Sequence, residues 1–103
     1  MEKEKVLKEL RKMLFVSEDI SVAQGEHDLR EENILSIMRK WLNTDWIEHV
    51  CADYGIDEEE ITDEIAQDSV VCRNVPPIKT KAEFFKRVKS DYTKLRNLYN
   101  RIK

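Results

Sequence analysis

The stretch TKAEFFKRVKSDYTKLRNLYNRIK, residues 80–103, decides the fold class. Thr80 and Glu83 are spaced as a capping box, so a helix is predicted to start there. Phe85, Val88, Tyr92, Leu95, Tyr99 and Ile102 then recur at 3-4-3-4-3 spacing, a heptad-like seam, with Phe84 and Leu98 widening it at each end. Only a helix places those residues on one side. The preceding Val75-Pro76-Pro77-Ile78 cannot be helical, because each proline removes a donor and restricts the residue before it. With Val70, Val71 and Cys72 it is too apolar for a solvated linker, so residues 69–79 are expected to lie extended across the core.

Moving outward, four more helical patterns appear. Val6, Leu7, Leu10, Met13 and Leu14 predict a first helix from Glu2 to Phe15. Residues 16–27 break the period and read as a loop, with Val16–Val22 and Val70–Cys72 as the conceivable strands of a small β-ribbon. Asp28 with Glu31 predicts a cap for a second helix carrying Ile34, Leu35, Ile37, Met38, Trp41 and Leu42. Asn43 is expected to cap a third, which Gly55 ends in the left-handed conformation. Asp57 with Glu60 predicts the fourth, with Ile61 and Ile65 as its narrow apolar stripe. The expectation is one all-α domain over residues 1–103, a small bundle of four to five helices with an extended Pro-containing connection before the last helix. The two glycines and two prolines in 103 residues agree with it, since a β-rich chain needs more turn residues.

Charge divides the chain. Residues 1–78 hold 9 Lys+Arg against 19 Asp+Glu, a net of −10, while residues 79–103 hold 9 against 2, a net of +7. Lys81, Lys86, Arg87, Lys89, Lys94, Arg96 and Arg101 form a candidate basic contact face on the last helix. Asp57, Glu58, Glu59, Glu60, Asp63 and Glu64 form a candidate acidic one. One reading is internal: the basic helix docks on the acidic body and surface pairs form, each contributing at most about 1 kcal/mol.

Residues 46–65 have the spacing of a helix-turn-helix: two short helical patterns flank Gly55, and Val50, Cys51, Ile56 and Ile61 sit where the motif packs. Ala52-Asp53-Tyr54-Gly55-Ile56 resembles a stretch of the helical DNA-binding domain of bacterial initiator proteins. The resemblance covers those five residues, and no base-contacting motif follows it. The second helix would bring six carboxylates against phosphates, and no Lys or Arg lies between Lys40 and Arg73, so major-groove reading is not expected. Contact with a basic protein, or mimicry of nucleic acid, suits such a surface better.

Enzymatic signatures are missing. Two glycines 30 residues apart make no phosphate loop, and there is neither a Cys-x-x-Cys nor a His-x-x-x-His. His49 and Cys51 point about 200° apart on a helix and cannot readily share a metal. No catalytic residue, cofactor site or metal site is assigned. No apolar run spans a membrane, and two cysteines are few for a secreted scaffold, so a cytoplasmic protein with reduced thiols is expected. The reading is a non-enzymatic protein–protein interaction or regulatory module. The alternative is a nucleic-acid-associated protein binding phosphates through the last helix, and self-association through that helix's seam is a further route to a partner.

Overall fold

The computed structural model describes residues 2–24, 30–69 and 76–103, and is all-α among them. Its longest element, the helix Lys81–Ile102, is organised around the predicted cap. The Thr80 side chain accepts from the Glu83 amide at 3.2 Å, while the Glu83 carboxylate reaches one residue further back, accepting from the Lys79 amide at 3.0 Å. The remaining helices are Glu2–Leu10 (α1), Ser17–Gln24 (α2), Glu31–Leu42 (α3), Trp46–Tyr54 (α4) and Asp63–Asp68 (α5), with the last as α6. A 3₁₀ turn, Glu58–Glu60, lies between α4 and α5. α6 is the common scaffold, packing on α3 and α5 most extensively and on α1 and α4 as well.

The buried stripe of α6 runs through Phe84, Val88, Asp91, Leu95 and Leu98. The predicted seam shares Val88 and Leu95 with it, but Phe85, Tyr92, Tyr99 and Ile102 are only partly buried. Neighbours on both flanks explain the shift. Tyr92 donates to the Leu42 carbonyl at 3.2 Å, toward α3, and the opposite flank faces α1. A helix gripped from both sides buries a band wider than one heptad line.

Three further boundaries differ from the sequence expectation. The first helix stops at Leu10, and Met13 through Ser17 are all buried. Four consecutive apolar residues cannot all face one side of a helix, so the chain leaves helical geometry and threads the core there. It resumes as α2, over residues read as a loop. Ile20 is buried within α2, which removes the strand partner that a β-ribbon needed; Val70–Cys72 lies outside the described residues.

The second helix begins at Glu31; the expected cap Asp28 lies outside the described residues. Asn43 closes α3 instead of opening α4. Asp45 caps α4, accepting from the Glu48 amide at 3.1 Å. Gly55 ends α4 at φ 64, as predicted, and the Ile56 amide closes back on the Cys51 carbonyl at 3.0 Å.

The predicted helix from Asp57 is not formed. Asp57 makes no side-chain cap bond, the three glutamates form only the 3₁₀ turn, and Thr62 opens α5 by accepting from the Ile65 amide at 3.2 Å. Neither the cap preference of aspartate nor the acidic first turn accounts for this, since both favour a helix at Asp57; the chain instead takes Thr62 as its cap. α5 is fastened to the start of α6: Asp63 accepts from the Lys81 amide at 2.8 Å, and Gln67 donates to the Lys79 carbonyl at 2.8 Å. Pro76 and Pro77 are exposed and non-helical and Ile78 is buried, so the end of the connection does reach the core.

Candidate functional site

The seven basic residues of α6 do not form one face. Arg87, Lys94 and Arg101 are spaced by seven and line the edge beside α1. There Arg87 donates to the Lys12 carbonyl at 3.2 Å and Lys94 pairs with Glu9 at 2.8 Å. Lys86, Lys89 and Arg96 are exposed away from that edge, and Arg96 lies over the Tyr92 ring at 5.0 Å while donating to its hydroxyl. Lys81 belongs to the first turn, where its amide is tied to Asp63.

The acidic residues divide as well. Asp63 is engaged by α6, and Glu64 lies on the far side of α5 beside Ile65, Gln67 and Asp68. Glu59 is exposed and is not among the residues that line the groove formed by its neighbours. Asp57, Glu58 and Glu60, however, form one wall of a groove of about 620 Å³. Asp45, which caps α4, and Glu48 within it line the same groove, together with Ile47, Cys51 and Ile56. Gly55 makes this shape. Its left-handed turn folds the chain straight back, so the 3₁₀ segment runs beside α4 and not away from it.

Asp45 and Glu48 were not picked out as contact residues from the sequence. Their signal was legible, since Asp45-x-x-Glu48 is itself a capping box. With the cap assigned to Asn43 the pair had no reason to project together.

The field in the groove can be read from the thiol it surrounds. Burial pushes the Cys51 thiol up, and Glu58, Asp57, Asp45 and Glu48 push it further in that order. A catalytic thiol needs the reverse, a positive neighbour that stabilises thiolate. His49 does not supply one: it stacks on Trp46 with centroids 5.3 Å apart and places Nε2 3.5 Å from Asp53. Among the described residues no three His, Cys, Asp or Glu side chains converge on a point that could hold a metal.

An aromatic cluster joins the helices behind the groove. Trp41 and Trp46 meet edge to face at 5.0 Å, and Phe15 lies 5.7 Å from the first and 5.8 Å from the second. The Trp41 indole donates to Asp19, which tethers α2 to α3. These contacts fix α4, and with it one wall of the groove. No described helix is long and apolar enough to cross a membrane. No family model, curated protein or solved structure matches the chain.

Proposed function

We propose that the chain is a non-enzymatic protein-interaction module whose acidic groove, between α4 and the 3₁₀ turn, receives a basic amphipathic segment of a partner protein. The observation that carries this reading is the groove itself, lined by five carboxylates together with Ile47, Cys51 and Ile56. No Lys or Arg is among the residues that line it, and residues 41–69 hold ten Asp+Glu and no Lys or Arg. Rim ion pairs contribute at most about 1 kcal/mol each, so the carboxylates supply register and fast encounter, and the apolar lining residues supply affinity. A phosphate backbone would be repelled here. The reading keeps the cytoplasmic setting expected from the sequence.

The test uses a helical peptide of Leu and Lys/Arg with its cations along both edges of an apolar strip. Binding should weaken steeply with salt and fall about tenfold or more in Glu48→Gln/Glu58→Gln/Glu60→Gln, which loses three charges of the groove. Glu31→Gln/Glu32→Gln/Glu64→Gln removes equal charge elsewhere and should change affinity far less. Equal losses in the two triple variants, or no binding at low salt, would overturn the reading.

A further inference from the structure

We propose that the edge where α1 and α6 run side by side is a second, separate contact surface, fitted to the sugar–phosphate backbone of a nucleic acid. The two helices are antiparallel along it: Lys12 lies beside Arg87 and Glu9 beside Lys94, while Lys5 and Lys8 share a groove of about 450 Å³ with Lys94 and Arg101. Two rows of three cations result, one from each end of the chain. Glu9 lies between them, paired with Lys94 at 2.8 Å and with Lys12 at 4.0 Å, and Lys5 and Lys8 are exposed beside it.

The row on α6 spans 14 residues from Arg87 to Arg101. That is about 21 Å, the rise of about six phosphates on one strand of a duplex. Glu9 stays ionised and offsets one of these charges, but cations dominate its surroundings. Lys94 hydrogen-bonds to it and holds its carboxyl below the usual range, and Lys12 and Lys8 act in the same direction.

The surroundings distinguish a phosphate backbone from an acidic protein segment. An acidic helix would need apolar surface to bury. The apolar residue in this groove, Leu98, is already 4% exposed and spent on the core. Tyr92 and Tyr99 are half-buried in the α6 seam and are not free to stack on bases. The surface therefore suits an occupant that brings regular charge alone, bound without base readout.

The experiment is fluorescence anisotropy with a labelled duplex of about 20 base pairs and a single strand of the same length, between about 25 and 150 mM salt. For the duplex, log affinity should fall linearly against log salt, with a slope of about −0.9 for each phosphate contacted. Lys5→Glu/Lys8→Glu changes only α1 and should lower affinity more than about tenfold and flatten the slope, with Lys5→Gln/Lys8→Gln intermediate. Lys86→Glu/Lys89→Glu makes the same change in net charge off this edge and should cost less than about threefold. Circular dichroism verifies that each variant is folded. Absence of binding at the lowest salt would overturn the proposal. So would equal losses in the two Glu variants, or polyglutamate competing as well as nucleic acid.

Discussion

Asp91 is the residue whose removal tests the packing most directly. It is a carboxylate at 5% exposure in the centre of the α6 stripe, where a heptad would place an apolar side chain. It accepts a 2.7 Å hydrogen bond from the Leu14 amide, 77 residues away in sequence. Leu14 lies in the non-helical passage of Met13 through Val16 across the core, where that amide has no helical carbonyl to meet. A buried amide left without an acceptor costs about 1–3 kcal/mol. Asp91→Ala orphans it and should lower stability by about 2 kcal/mol. Unfolding entropy for 103 residues is about 0.2 kcal/mol/K, so the melting temperature should fall by about 9 °C. Asp91→Asn keeps an acceptor oxygen and should lose less than half as much.

The pH dependence fixes the sign. Burial raises the Asp91 carboxyl, and the Leu14 amide, Arg87 and Lys94 only partly oppose it. A folded value above the unfolded one means that the native state takes up the proton first. Stability from this group is then greatest below the ordinary carboxyl value and is lost as pH rises through the raised one. Wild type should therefore gain on the non-titrating Asp91→Asn as pH falls from 7 toward 4. Thermal melts across that range, with hydrogen exchange at the Leu14 amide, provide the readout. The reasoning fails if Asp91→Ala melts within about 2 °C of wild type with Leu14 still protected, or if wild type loses ground to Asp91→Asn on acidification.

Three further outcomes are expected. Gly55→Ala should cost about 1–2 kcal/mol and Gly55→Asn less, measured by urea unfolding; an added Cβ meets nothing within 4 Å, so the φ of 64 is the whole cause. Thr80→Ala should cost about 1 kcal/mol by the same assay, because the Glu83 amide loses its acceptor at the start of α6. In a Cys72→Ser background, Cys51 should alkylate more slowly at pH 8 than a free cysteine, and Glu58→Gln should quicken it, since Glu58 is the first of the carboxylates that disfavour the thiolate.

What the sequence disclosed depended on whether a signal was local. The Thr80 cap, the length of α6 and the Gly55 stop each rest on a few neighbouring residues, and each appears in the structure. Met13, Leu14 and Phe15 were misread as helix because their fate depends on α6, which supplies Asp91. The period of 3.6 continues through Met13 and Leu14, and no local pattern shows that the backbone will find an acceptor 77 residues on. The helix at Asp57 was lost to competition between caps. Asp57 and Thr62 both suit the role, and it is Thr62 that makes the cap bond. That loss also removed the helix-turn-helix shape, since a 3₁₀ turn of three residues presents no recognition helix.

The same competition created the groove. Had Asp57 nucleated a regular helix, its carboxylates would have spread around the helix at 100° per residue, most of them away from α4. The short 3₁₀ turn and the left-handed Gly55 keep Asp57, Glu58 and Glu60 in one groove with Asp45 and Glu48. The acidic run thus has its place because it failed as a helix. The basic residues of α6 show the opposite case. A long regular helix distributes them around its surface, so only a second element can gather them, and α1 gathers Arg87, Lys94 and Arg101 with its own lysines. Charge separation along the sequence therefore becomes two distinct surfaces by two different routes. Variants on the α1 edge should leave peptide binding in the acidic groove intact, and groove variants should leave the salt slope for nucleic acid unchanged.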